Sequence, residues 1–282
     1  MQPIRVALVQ LAWSGSRETM QSQYRELIAE AVHEGAKMVC LPEFSLLPYF
    51  PGTKDPQGFT WAETLPGGTS ERFFADMANA HDITLIGSLF EKTIDGQYFD
   101  TATVHNADGE LVGITRKVHI PYGEGYNETD FFKGYHEYPV HNTGAVNVAA
   151  PTCYDQWFPE LARIYAMNGA EFIFYPTAIG SEPSAPDIDT EPMWETVMRG
   201  HAIANGLFIG AANRVGVENG VTFYGSSFVC DPTGKMLAQA GRETTEVICA
   251  DLDPKVLERW RDLFPLLKQR MPHTYARIIE GM

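Results

Sequence analysis

Positive charge is scarce in this chain. Its 282 residues hold 21 Lys and Arg against 36 Asp and Glu, a formal net charge of −15. No basic stripe occurs along the sequence, which argues against a nucleic-acid partner, since that needs clustered cations against phosphate. An acidic surface instead favours the approach of cationic small molecules. Cysteine is scarce too: Cys40, Cys153, Cys230 and Cys249 are scattered, with no CxxC pair and no histidine close enough to complete a ligand set. That argues against zinc. Long apolar runs are missing, so no membrane partner is expected. Met1-Gln2-Pro3-Ile4-Arg5 runs directly into a strand pattern without a leader-like opening. Free thiols in a reducing cytoplasm are the expectation.

What is present reads as a soluble globular protein, 44% hydrophobic and 20% charged. Ile4 to Leu11 is an apolar strand. Ser16 to Ala36 is an amphipathic helix, with Met20, Tyr24, Leu27, Ile28, Ala31 and Val32 at helical spacing. Lys37 to Leu41 is a second strand. Thr69 is expected to cap a helix over 71–81, ahead of a strand over 83–90. Hairpin signals at Asp95-Gly96 and Asp108-Gly109 flank strands at 101–105 and 111–115. Further strands are expected over 145–150, 171–175, 207–213, 223–230, 235–239 and 247–250. Helices are expected over 159–168, 191–205 and from Asp253-Pro254 to Phe264-Pro265. A short loop is expected between Arg214 and Val221, and no low-complexity linker divides the elements. Helices alternate with strands at both ends, which suggests one α/β domain with a mixed sheet, or two stacked sheets covered by helices.

One cysteine stands out. In Pro151-Thr152-Cys153-Tyr154-Asp155-Gln156-Trp157-Phe158-Pro159-Glu160 it lies between a strand pattern and a helix pattern. An exposed sulfur near a helix start would favour the thiolate, the nucleophilic form. The competing reading is an inert buried thiol. A nucleophile needs a proton acceptor and a positive group facing the developing oxyanion. Glu43 ends the second strand in Leu-Pro-Glu-Phe, Lys117 follows a strand in Arg-Lys-Val-His-Ile-Pro, and Glu128 lies in the loop beyond. Groups at strand C-termini of an α/β fold converge on one rim. Taken singly, each is more simply a solvated or salt-bridged charge.

Together and in this order, the three motifs resemble the nitrilase, or carbon–nitrogen hydrolase, superfamily over nearly the whole chain. The resemblance implies a four-layer αββα sandwich, formed by a single domain over 1–265, with a tail over 266–282 that either crosses to another subunit or covers its own sheet. It implies a homodimer or higher homo-oligomer. It also implies catalytic Glu43, Lys117 and Cys153 with Glu128 as an additional active-site glutamate. On that basis Glu43 takes the thiol proton and activates water, Lys117 and the Tyr154 N–H stabilise the anionic intermediate, and Glu128 orients Lys117. No metal or organic cofactor is required.

Asp155-Gln156-Trp157-Phe158-Pro159-Glu160, Phe174-Tyr175-Pro176-Thr177-Ala178-Ile179-Gly180-Ser181-Glu182-Pro183 and Gly200-His201-Ala202 resemble the carbamoyl branch, most closely the N-carbamoylputrescine amidases. That implies hydrolysis of a terminal ureido group in a small N-carbamoyl substrate. Tyr49, Glu124, Tyr154, Trp157 and Glu182 are the expected substrate-binding residues, with Asp187 as a further carboxylate. Lys54, Lys133 and Arg199 are the few cations available to a substrate carboxylate. His119-Ile120-Pro121-Tyr122-Gly123-Glu124-Gly125-Tyr126 departs from the usual Asp-Gly-Pro-Gly-Tyr pattern in a substrate-facing loop. An N-carbamoyl amino acid hydrolase, an aliphatic amidase and a catalytically silent binding member are the alternatives. His119 and His201 are expected to be structural.

Overall fold

Ser16 starts the first helix with its hydroxyl accepting the Thr19 N–H, satisfying one orphan donor of the first turn. A computed structural model describes residues 1–280. The first half runs β1 (Ile4–Gln10), α1 (Arg17–His33), β2 (Met38–Cys40), α2 (Thr69–His81), β3 (Thr84–Lys92), β4 (Tyr98–His105) and β5 (Leu111–Arg116). The second runs β6 (His141–Asn142), β7 (Asn147–Ala149), α3 (Pro159–Met167), β8 (Phe172–Pro176), α4 (Glu191–Asn205) and β9 (Phe208–Ala212). It ends with β10 (Val215–Glu218), β11 (Val221–Tyr224), β12 (Phe228–Cys230), β13 (Met236–Gln239), β14 (Glu246–Leu252) and α5 (Pro254–Leu263).

Two six-stranded sheets form, in the orders β14-β1-β2-β3-β4-β5 and β13-β12-β9-β8-β7-β6. Each has a parallel triplet at its centre, β1-β2-β3 in one and β7-β8-β9 in the other, with antiparallel strands outside. Central strands buried on both faces read as continuous apolar runs, as β1 and β8 do. Val6, Leu8, Met38 and Val104 of the first sheet pack against Val148, Phe172, Phe174 and Val229 of the second. On the outer faces, Met20, Tyr24, Ile28 and Phe74 of α1 and α2 cover the first sheet, and Leu161, Tyr165, Trp194 and Met198 of α3 and α4 cover the second. The four layers are therefore αββα.

Three local expectations need correction. Gly68, not Thr69, is the cap of α2, and the helix begins at Thr69 itself. The run 223–230 is not one strand. Gly225 and Ser226 both adopt φ 56°, and a Cβ on Gly225 would stand 2.7 Å from the Gly241 carbonyl oxygen, so the chain bends there out of a hairpin and into the second sheet. The segment from Arg214 to Val221 is not a plain loop: it holds β10, paired antiparallel with β11 around Asn219-Gly220 at φ 50° and 86°. Beyond α5 the tail makes two short 3-10 turns and leaves Ile278 and Ile279 exposed. Among the described residues no helix is long and apolar enough to cross a membrane.

Candidate active site

The C-terminal ends of the parallel triplets bring the charged residues together. Glu43 follows β2, and the next residue, Phe44, holds a left-handed φ of 47°. That turn is fastened from two sides. Ser88 Oγ on β3 accepts the Phe44 N–H at 3.1 Å, and the buried Arg214 guanidinium donates to the carbonyls of Glu43, Phe44 and Leu47. Arg214 is itself paired with Glu218 at 2.6 Å. Lys117 is the first residue after β5 and donates its N–H to the Asp100 carbonyl on β4. Side-chain alternation then turns it to the opposite face from Arg116, which pairs with Glu91.

Lys117 Nζ donates to Glu43 Oε1 at 2.8 Å and to Glu128 Oε2 at 2.5 Å, and lies 3.5 Å from Asp100 Oδ2. All four side chains are sealed from solvent. Burial opposes the Lys117 charge, but Glu128, Glu43, Cys153 and Asp100 outweigh it and hold the ammonium well above its ordinary range. Burial pushes Glu128 up to about 7 against the pull of Lys117. Glu43 is likewise driven well above the usual carboxylate range, by burial first. Glu43, Asp100 and Glu128 present oxygens within 4.8 Å of one another, a spacing that would suit a cation. The Lys117 ammonium already fills that role, so no metal fits among them.

Cys153 opens a 3-10 turn, Cys153–Trp157, after β7, with φ 44°. Its position is fixed by Asp155. That carboxylate accepts the N–H groups of Thr152, Val118 and His119 and lies 2.8 Å from His119 Nδ1, tying the cysteine turn to the lysine segment. His119 stacks on Phe158 at 3.5 Å between ring centroids, and His201 Nε2 meets the Gln156 carbonyl at 2.9 Å. Both histidines brace the turn. The Tyr154 N–H, in its first turn, has no backbone acceptor among the described residues.

The expected exposed thiolate is not what the fold provides. Cys153 is only 5% exposed, and burial, followed by the Glu43 charge, pushes its thiol well above the ordinary value. The reason is local. The α-helix starts only at Pro159, so the cysteine sits beyond reach of that helix terminus. Its proton must be taken by a neighbouring base.

The carbon-nitrogen hydrolase family model matches residues 5–262. The chain belongs to the carbon–nitrogen hydrolase family. It is 37% identical to a citrullinase from Francisella tularensis over 99% of both chains. It is 34% identical to N-carbamoylputrescine amidase from Solanum lycopersicum, covering 98% of this chain and 95% of that one. The crystal structure of a carbon–nitrogen hydrolase from Helicobacter pylori G27 superposes with a TM-score of 0.94 at 35% identity, over 99% of each chain. The protein is thus a hydrolase of non-peptide C–N bonds.

In this carbon–nitrogen hydrolase a cavity of about 210 Å³ opens over Cys153, lined by Glu128, Tyr154, Trp157, Glu124 and Glu182 among others. A larger hollow of about 470 Å³ lies under α5 and the tail and holds no nucleophile. Burial raises the Glu182 carboxyl above its ordinary range. Tyr49 is placed differently from the substrate-binding role expected of it. It is wholly buried, its Oη donates to Glu128 Oε1 at 2.8 Å, and it meets a ligand only through that carboxylate. Asp187 does not line the cavity. Lys133 lies over the Phe99 ring and Arg199 is paired with Glu195, both away from it. Asp100 and Arg214 went unrecognised in the sequence. A carboxylate directly after Tyr98-Phe99, at the head of the β-prone run 101–105, was the available signal for Asp100.

Proposed function

We propose that the protein hydrolyses the terminal ureido group of a small linear N-carbamoyl amine with a cationic far end, of which N-carbamoylputrescine is the representative. Cys153 Sγ attacks the ureido carbonyl carbon while Glu43, made more basic by burial, accepts the thiol proton. The Lys117 ammonium and the unpartnered Tyr154 N–H receive the oxyanion. Collapse expels ammonia, which takes the proton back from Glu43 and leaves a thiocarbamate on Cys153. Water, deprotonated by Glu43, then releases the carbamate, which loses carbon dioxide to give the free amine. Glu128 aligns Lys117 and the leaving amide nitrogen.

The observation that carries the substrate end is the cavity wall. Beyond Glu128 of the buried cluster, two carboxylates, Glu124 and Glu182, line it, and among the described residues no Lys or Arg does. A distal ammonium finds acceptors there, and a carboxylate does not. Glu182→Gln should raise KM for N-carbamoylputrescine about threefold to tenfold with little change in kcat, the mark of a binding contact. The direct test compares ammonia release from N-carbamoylputrescine and N-carbamoyl-β-alanine. Preference for the latter would overturn the cationic-substrate reading.

A second reading, a ureido amino acid, has one specific support besides the citrullinase relative. Lys54 lies in an adjoining hollow that shares Tyr122 and Glu124, with its Nζ 3.3 Å from Tyr122 Oη. Citrulline turnover that falls on Lys54→Ala would favour it.

A further inference from the structure

Asp100 has no part in the steps above, yet its setting is costly. It is a wholly buried carboxylate inside β4. Oδ1 accepts from Ser88 Oγ at 3.1 Å, while Oδ2 is buried without a hydrogen-bond donor. Glu43 is in the same state: Oε1 is taken by Lys117, and Oε2 is buried and unpartnered. The two carboxyls face the same Lys117 ammonium, at 2.8 Å and 3.5 Å, and an oxygen of each lies within 4.8 Å of the other. Carboxylates this close do not both ionise when buried, and a single proton between them supplies the donor that both orphan oxygens lack.

We propose that Asp100 is a positioning residue for the general base, sharing one proton with Glu43 and so setting the basicity of the carboxyl that takes the Cys153 proton. This rests on the reading of Glu43 as base. The groups facing the pair are Lys117 from the end of β5, Glu128 from its 3-10 turn, Cys153, Ser88 from β3 and, beyond Glu128, Tyr49. Arg214 meets Glu43 at its backbone carbonyl and is paired with Glu218. Arg116 and Glu91 pair on the opposite face of the sheet. Lys117 alone cannot neutralise three carboxylates, and the shared proton removes one of the two excess negative charges. In keeping with this, burial and then the Asp100 charge raise Glu43, against Lys117, while Asp100 itself reaches only about 6.

Asp100→Asn keeps the shape, removes the charge and gives Glu43 a fixed N–H donor. Glu43 then ionises at lower pH and is a weaker base. The acid limb of kcat/KM should move down by about one pH unit, and plateau kcat should fall by roughly threefold to tenfold. A limb that stays in place while activity drops would mean a purely structural role and overturns the proposal. A second measurement needs no turnover. Infrared difference spectra of the parent, taken above the Glu128 transition near 7, should show one neutral carboxyl band. Glu43→Gln should lack it. A folded parent without that band sinks the shared proton. A protein that releases ammonia from no ureido compound or amide refutes the proposed function instead, and the infrared result still decides this inference.

Discussion

Cys153→Ala should release no ammonia from any ureido substrate and still fold. Loss of the nucleophile from a catalytic triad lowers turnover on the order of 10⁶-fold, because the remaining groups position and polarise but form no covalent intermediate. The fold should tolerate the change. The Sγ hydrogen bond is a long one, 3.7 Å to the Ala178 carbonyl, so truncation strands no strong partner. Ala keeps the Cβ at a backbone already held at φ 44° by Asp155 and its three N–H donors. Cys153→Ser should be nearly as inactive, since a hydroxyl is the poorer nucleophile and harder to deprotonate. Intact-mass spectra under turnover should show a carbamoyl adduct on the parent and none on the alanine variant. Retained ammonia release in Cys153→Ala would exclude the thiol mechanism.

Lys117→Met should damage both stability and activity. Removing the one ammonium leaves Glu43, Glu128 and Asp100 facing one another in a site closed to water. Breaking a buried ionic cluster from one side costs about 3–5 kcal/mol, which for a domain of this size lowers Tm by roughly 10 °C. Loss of the oxyanion partner should cut kcat by at least about a hundredfold to a thousandfold in any protein that remains folded. The pH dependence has a definite sign. Burial lifts Asp100 to about 6 and Glu128 to about 7 even with the ammonium lowering them. Carboxyls raised above their unfolded values of about 4 bind protons more tightly when folded, so they disfavour folding as pH rises through that interval. Without Lys117 they rise further. The stability deficit of the variant should therefore widen from about pH 4 to above 7, and melting curves across that range will check it. A deficit that shrinks with rising pH would contradict the charge arrangement.

The layers and the rim were legible in the sequence because their signals are local. The apolar run of β1, the i, i+4 spacing of Met20, Tyr24 and Ile28, and the Ser16 cap each act within a few residues. The motif order around Glu43, Lys117 and Cys153 carried the family. What escaped depends on long-range packing. No sequence pattern shows that Glu43, after β2, and Asp100, on β4, end at the same ammonium. The guanidinium of Arg214 reaches back to the carbonyls of Glu43, Phe44 and Leu47 across the chain, and nothing near residue 214 signals that. Exposure of Cys153 was misjudged because a strand-to-turn position fixes the backbone and leaves open what closes over it. The hairpin of β10 and β11 was a different failure. Its Asn219-Gly220 signal was present, and the run through Gly225 simply obscured where the second strand ended.

The groups of the proposed mechanism are divided between the two sheets: Glu43 and Lys117 follow strands of the first, Cys153 a strand of the second. The apolar layer between them is therefore a spacer that sets the reach from sulfur to base. A misplacement of 1 Å in such a set costs on the order of a hundredfold in rate. Leu8 of β1 extends toward Gly210 of β9 within that layer and does not line the cavity over Cys153. Trimming it to alanine should slow catalysis beyond what its loss of stability explains. The interior of this enzyme thus works as a calibration of its chemistry, and drift in the core is read first as lost turnover.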